Sequence, residues 1–186
     1  VPNGEYWTKI YGPYLIYASL KNTANENWAD AKARAVTEKA QWPYSWLTNT
    51  TQYPLAAERG SVTGKFVIND PFKPSVKGQN AWVGVVIISN TANQWQFEEK
   101  NYHYWVKTDS EGNFTIPNVR PGTNYTFFGY SDGAVGDFSL ANVAVTAGAS
   151  TNLGTLTWNI PRNKGNLVWE IGYPNRKASE FKMGTF

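Results

Sequence analysis

The chain has 186 residues, a net charge of +3 and no cysteine, which leaves room for one large or two small domains and excludes disulfides and thiolate metal sites. Aromatic residues form 16% of the sequence, a composition that favours β-structure. The basic residues are scattered and no apolar stretch is long enough to span a bilayer, so we expect neither a nucleic-acid partner nor a membrane partner.

The N-terminal segment is rich in aromatic residues. Residues 5–20 are expected to form two strands that are separated at Gly12-Pro13. Because an isolated hairpin is only marginally stable in water, these strands need a partner sheet that the segment does not supply. We therefore expect residues 1–57 to be the C-terminal part of a β-domain that begins upstream, and we expect both ends of the sequence to be incomplete.

One helix is predicted, over about residues 27–40, where apolar side chains recur on one stripe. Asn25 or Asn27 is the expected N-cap, and Glu26 suits the positive end of the helix dipole. Pro43 should end the helix, because the residue before a proline is restricted to extended backbone angles.

From residue 60 the pattern becomes wholly β, and we expect residues 58–160 to form one seven-stranded sandwich. The predicted strands cover residues 61–68, 81–88, 102–107, 113–117, 124–130, 138–145 and 153–158. Turn residues separate them about every ten positions. The turn before the fourth strand is expected to use an Asx hydrogen bond from Asp109 and a positive φ at Gly112.

Few residues have the pattern of a catalytic site. The sole histidine, His103, lies between Tyr102 and Tyr104, and strand alternation places those two rings on the opposite face, so we interpret it as an ordinary strand residue. Glu98 and Glu99 are adjacent and should point to opposite sides of the chain, unlike the paired carboxylates of a hydrolase. The sequence therefore predicts no catalytic residue in this chain.

The oxygen-rich residues 109–113 lack the spacing of a calcium loop, and a β-turn accounts for them, so we predict no metal site. Three Asn-x-Thr sequons are possible N-glycosylation sites and favour a secreted, extracellular protein. These sequons begin at Asn49, Asn113 and Asn124.

Most of the aromatic rings are expected to fill sandwich cores, although flat rings also stack on sugar faces. Trp82, Trp95 and Trp105 are the residues that we would test for contact with a glycan. Alternation should turn some of them inward, so the substrate-binding residues stay unassigned.

Four blocks of the sequence, in order, resemble the rhamnogalacturonan endolyases of polysaccharide lyase family 4. The blocks are residues 7–14, residues 42–44 with 58–64, residues 104–105 with 109–122, and residues 161–163 with 167–181. The segment Trp169-Glu170-Ile171-Gly172 is the most specific part. Residues 175–178 read Asn-Arg-Lys-Ala where the family usually has Asp-Arg-Thr-Ala.

This resemblance implies a chain in three parts. Residues 1–57 would end the catalytic β-sandwich domain, residues 58–160 would form a fibronectin-III-like or transthyretin-like middle domain, and residues 161–186 would begin a carbohydrate-binding-like jelly-roll domain. The family cleaves rhamnogalacturonan, a pectic polysaccharide, by β-elimination. Its catalytic Lys and His lie upstream of this chain, and no position here matches them.

The resemblance therefore predicts that this chain supplies linking and accessory domains to a secreted lyase. Its partners would be pectic polysaccharide, through the parent enzyme, and the remaining polypeptide of that enzyme. No cofactor is expected, although calcium is possible in the parent enzyme. The alternatives are a free-standing carbohydrate-binding module and a structural β-sandwich spacer that binds no sugar.

Overall fold

The computed structural model describes residues 4, 6–88, 94–162, 165, 168–169 and 171–172. These residues form two β-sheets, one α-helix and two short 3-10 helices, Ala56–Glu58 and Trp95–Phe97. The elements are α1 (Ala24–Gln41), β1 (Gly60–Asn69), β2 (Trp82–Val86), β3 (His103–Lys107), β4 (Asn113–Val119), β5 (Gly122–Tyr130), β6 (Phe138–Val145) and β7 (Ser150–Asn159). The predicted mainly β fold and all seven predicted strands of the sandwich are confirmed.

The strands form a three-stranded sheet in the order β4-β1-β7 and a four-stranded sheet in the order β3-β2-β5-β6. Neighbouring strands are antiparallel except β1 and β7, which are parallel, with Ser61 opposite Ser150 and Asn69 opposite Asn159. Because the first and last strands run side by side in one direction, the chain enters the sandwich at one end and leaves it at the other.

The core lies between the two sheets and is built by strand alternation. Phe66 of β1 is fully buried against Phe127 of β5, with ring centroids 6.1 Å apart. Phe114 of β4 packs 5.3 Å from the same Phe127 ring. Gly129 leaves room for Phe66, since a Cβ at this glycine would lie 2.6 Å from Phe66 Cζ. The interlocked rings fix how the two sheets stack.

A buried tyrosine of β5 is hydrogen-bonded to the turn that precedes this strand. The Tyr125 hydroxyl donates a hydrogen bond of 2.8 Å to the carbonyl of Arg120, so its polar group is satisfied although its side chain is fully buried. Burial raises the pKa of the Tyr125 phenol. A tyrosine that bonds the backbone a few residues upstream is a recurring feature of immunoglobulin-like and fibronectin-like sandwiches.

The predicted turn before β4 is confirmed. Asp109 Oδ1 accepts hydrogen bonds of 2.8 Å from the backbone N–H groups of Glu111 and Asn113. Gly112 has a φ of +86°, the left-handed region in which other residues are strained. The hydrogen bonds from the Asn113 side chain and backbone hold the pKa of the Asp109 carboxyl below its usual value.

The helix α1 begins earlier than predicted, and the predicted asparagine caps were wrong. Thr23 is the N-cap, and its hydroxyl accepts a 3.3 Å hydrogen bond from the Glu26 N–H. Glu26 Oε2 in turn accepts a 2.9 Å hydrogen bond from the Thr23 N–H, which completes a capping box. Two orphan donors are satisfied in this way, whereas the Asn27 side chain accepts a 3.0 Å hydrogen bond from the Lys21 N–H, which precedes the helix.

The two strands predicted within residues 5–20 were also wrong, since residues 6–20 contain no strand. A strand needs the backbone groups of a neighbouring strand, and neither described sheet pairs with this segment. Side-chain contacts hold it instead: Tyr17 and Ser19 donate hydrogen bonds of 2.7 and 2.6 Å to Asp30 Oδ2 of α1.

The strand predicted to begin the domain after residue 161 lies mostly outside the described residues. The domain boundaries at residues 57 and 160 stay predictions. In the part of the chain that the structure describes, no helix has the length and hydropathy needed to cross a membrane.

Candidate functional site

The outward face of the four-stranded sheet carries an aromatic cluster, which we call the tryptophan face. Its members are Trp82, Trp95, His103, Trp105 and Tyr130. The register places Trp82 opposite Tyr130 and Trp105 opposite Gly84. A Cβ at Gly84 would lie 2.3 Å from Trp105 Cδ2, so the absent side chain is what allows the indole to lie flat across β2.

Trp95 covers much of this face from its short 3-10 helix. Its ring centroid lies 4.8 Å from that of Trp105 and 5.6 Å from that of His103. Trp82 stays 39% exposed, with the Lys107 ammonium 5.1 Å from its ring centroid. Of the three tryptophans singled out for glycan contact, two therefore pack on each other and one keeps an accessible ring. Their contact with a glycan stays a prediction.

His103 has the surroundings of a packed strand residue. Tyr102 and Tyr104 point to the opposite side of β3, 6.2 and 6.4 Å from the Tyr125 ring, as alternation predicted. His103 Nε2 is buried and has no hydrogen-bond partner. Burial lowers the pKa of His103, and Glu98 acts in the opposite direction. A neutral imidazole among aromatic rings suits packing better than proton transfer.

A second surface is a cavity of about 470 Å³ where the chain enters the sandwich, which we call the entry pocket. Residues 9–14 form one wall. Residues between α1 and β1, residues of β3 and the turn before it, and Arg120 between β4 and β5 form the others. Its charged lining consists of Lys9, Arg59 and Arg120, together with the titratable His103. No carboxylate is among these lining residues, although Glu98 and Glu99 interact from outside the lining with His103 and Lys9.

Arg59 is the buried centre of the entry pocket, with 6% of its surface exposed. Its Nε donates a 2.8 Å hydrogen bond to the Pro54 carbonyl, and its Nη1 donates one of 3.1 Å to the Asn118 carbonyl. Its guanidinium lies 4.7 Å from the Trp42 ring centroid and 5.6 Å from that of Tyr53. Burial lowers the pKa of Arg59. These contacts hold the segment before β1 against β4.

An ion pair holds the chain where it leaves the sandwich. Arg162 Nε donates a 3.0 Å hydrogen bond to Asp70 Oδ1, and its Nη2 donates one of 2.6 Å to Oδ2. Asp70 is 2% exposed, and the Phe72 ring lies 5.4 Å from the Arg162 guanidinium. The hydrogen bonds from Arg162 hold the pKa of the Asp70 carboxyl below its usual value. This bidentate pair fixes the exit as Arg59 fixes the entry.

The sequence reasoning did not identify these anchors. Arg59 entered it only as a boundary residue, and Asp70 and Arg162 were assigned no role. The partners lie 59 positions apart in the Arg59–Asn118 bond and 92 apart in the Asp70–Arg162 pair. No local signal relates residues at such separations. The Pro and Gly residues around Asp70 indicated a loop and no more.

The three sequon asparagines, Asn49, Asn113 and Asn124, are all exposed. The Asn113 amide already donates a 3.0 Å hydrogen bond to Asp109 Oδ2, whereas Asn49 and Asn124 lie on the surface outside that turn. Their glycosylation stays a prediction. Among the described residues no group of three histidine or carboxylate side chains is placed to hold a metal ion.

Comparison with known proteins gives the family context. Residues 78–153 match the model of polysaccharide lyase family 4, domain II. The rhamnogalacturonate lyase of Dickeya dadantii is 32% identical over 95% of this chain, and rhamnogalacturonate lyase B of Emericella nidulans is 28% identical over 99% of it. The chain spans 27% of the length of each of these curated relatives. The resemblance carried by the four sequence blocks is thus confirmed: along nearly its whole length this chain is related to one segment of the rhamnogalacturonate lyases, with a match to domain II of polysaccharide lyase family 4.

Proposed function

We propose that this chain is the linking segment of a secreted rhamnogalacturonan lyase, in which it joins a catalytic domain on its N-terminal side to a carbohydrate-binding-like domain on its C-terminal side. The parent enzyme would cleave pectic rhamnogalacturonan by β-elimination. Such a reaction needs a base for the proton beside the uronate carboxylate and a positive group that stabilises the developing charge. The packed His103 does not suit the role of that base, so the chain alone is expected to be inactive.

The parallel pairing of β1 with β7 carries this proposal. The strands have ten residues each, so the entry and exit points lie roughly 30 Å apart, at opposite ends of one sheet. Arg59 anchors the chain at the entry, and the Asp70–Arg162 pair anchors it at the exit. A rigid body with anchored, opposite ends is suited to hold two neighbouring domains at a fixed distance.

The exposed apolar residues before the sandwich support the same proposal. Ile16 is 95% exposed and Leu20 is 99% exposed, and α1 buries none of its own residues. Extended apolar surface of this kind marks an interaction site. Because the chain spans 27% of its relatives, we propose that further polypeptide of the same enzyme covers this surface.

Activity measurements on two proteins test the proposal. The full-length parent enzyme should release unsaturated uronate products from rhamnogalacturonan, which are detected by their ultraviolet absorbance, and the 186-residue chain should release none. If the full-length enzyme is inactive on rhamnogalacturonan but active on another glycan, the proposed substrate is wrong. Activity of the chain alone would overturn the linking role. The comparisons give no support to a free-standing binding module.

A further inference from the structure

The described lining of the entry pocket contains three cations and no carboxylate, while Glu98 and Glu99 interact from outside the lining with His103 and Lys9. Lys9, Arg59 and Arg120 reach the pocket from three separate parts of the chain. Burial is the main cause that lowers the pKa of Arg59, Tyr104 and Tyr53 act in the opposite direction, and Arg120 lowers it by a smaller effect. Like charges held close together in a partly buried site are unfavourable unless an anion joins them.

The three cations differ in how many of their hydrogen-bond donors are already used by the protein. Arg59 uses two of its five N–H donors on backbone carbonyls, and its side chain has Tyr104 as a further hydrogen-bond partner. Lys9 Nζ donates a 2.6 Å hydrogen bond to the Glu99 carbonyl. The Arg120 guanidinium lies 4.7 Å from the Tyr102 ring centroid, and the Arg120 carbonyl is held by Tyr125. Arg120 is therefore a guanidinium of the pocket lining that is positioned by a ring contact and through its backbone.

Aromatic rings form about half of the remaining lining. Rings from Tyr11, Trp42, Tyr53 and Tyr104 contribute to the pocket walls. Flat apolar rings beside guanidinium groups suit a ligand with a planar-faced sugar ring and a carboxylate, because the ring can stack while the carboxylate accepts two parallel hydrogen bonds. A free phosphate would use the charge and leave the rings without a partner.

We propose that the entry pocket binds a uronate residue of an acidic polysaccharide, with Arg120 as its main carboxylate ligand and Lys9 and Arg59 as supporting charges. The pocket volume of about 470 Å³ accommodates a sugar residue and part of its neighbour. This inference rests on the proposed function, which supplies a uronate-containing glycan as the substrate class. It adds that residues of the linking segment itself contact that glycan.

Calorimetric titration of the 186-residue chain with an oligosaccharide of the rhamnogalacturonan backbone tests the proposal. The matched control ligand is the same oligosaccharide after reduction of its carboxyl groups, and a third titration uses inorganic phosphate. We expect binding of the acidic oligosaccharide, weaker binding with added salt, and no binding of the reduced form. Phosphate that binds as tightly as the oligosaccharide would overturn the uronate assignment.

Three variants locate the site. Arg120→Gln should weaken binding at least about tenfold, because it removes a charged bidentate donor, and Arg120→Lys should restore part of the affinity. Lys9→Gln should weaken it less. Lys107→Gln is the control, because Lys107 lies on the tryptophan face and outside the pocket. Circular dichroism of each variant verifies the fold.

The outcomes separate this inference from the proposed function. Lack of binding by the unaltered chain, unchanged binding by Arg120→Gln, or a loss caused by Lys107→Gln alone would each overturn the uronate pocket. The lyase activity of the full-length enzyme on rhamnogalacturonan is measured in parallel. If that activity is present while the pocket fails these tests, the proposed function stands and only the pocket is rejected.

Discussion

The sandwich and the segment before it are both rich in aromatic residues, yet they use them differently. Within the sandwich, Phe66 and Phe127 are fully buried between two sheets. Before it, Tyr6 is 98% exposed and Tyr14 is 77% exposed, and α1 buries no residue. An apolar side chain stabilises a fold only where a second surface removes it from water. The contrast shows that most of the buried core lies within residues 60–160, whereas the preceding segment leaves most of its apolar side chains exposed.

The largest expected effect is on the sandwich core. Phe66→Ala should lower the free energy of unfolding by about 3–5 kcal/mol, because it leaves a cavity among three aromatic neighbours. Ile16→Ala should change it by less than about 0.5 kcal/mol in this chain, since the side chain is exposed. Urea unfolding measures the free energy of unfolding of both variants and of the unaltered chain. Equal losses in the two variants would contradict the distinction between the regions.

The exit anchor should give the next largest effect. Asp70→Asn weakens a buried bidentate pair and should cost about 1.5–3 kcal/mol. The folded-state pKa of Asp70 is lowered, so its stabilising contribution is present above the unfolded pKa of about 4 and is lost as the pH falls through the lower folded value. Urea denaturation of the unaltered chain and of Asp70→Asn should give free energies of unfolding that differ at pH 7 and converge as the pH falls below 4. A difference in the free energy of unfolding that stays constant with pH would contradict a stabilising role of the ionised Asp70 carboxylate.

The tyrosine at the start of β5 should have a smaller effect. Tyr125→Phe keeps the ring in the core and removes the hydrogen bond to the Arg120 carbonyl, which should cost about 1 kcal/mol. It should also loosen Arg120 and so weaken uronate binding. Urea unfolding and calorimetry report the two effects separately. Unchanged stability would show that the bond does not help to hold the start of β5.

The smallest effect is expected in the segment before the sandwich. Thr23→Ala removes the hydroxyl of the capping box and should destabilise α1 by about 0.5 kcal/mol while leaving the unfolding of the sandwich unchanged. The helical signal in circular dichroism is the measurement, with Asn25→Ala as the control. Loss of helix in the control alone would contradict the assigned cap.

The confirmed strands were predictable because their signals are local. Alternation marks the buried face of each strand, and the turn at Asp109 and Gly112 depends on residues within five positions of each other. The capping box of α1 is local as well, and the Thr23-x-x-Glu26 pattern was available in the sequence. The strands predicted before residue 20 failed because strand-like alternation does not supply a pairing edge.

The sequence by itself determined the sandwich class, the positions of its seven strands and the relationship to rhamnogalacturonate lyases, because these depend on short-range patterns and on a segment of related sequence. Only the tertiary structure decided that β1 and β7 run parallel, that Asp70 meets Arg162, and that Lys9, Arg59 and Arg120 line one pocket. These contacts join residues that lie far apart along the chain. They form only when sheet stacking brings distant backbone into register, since no local interaction encodes them.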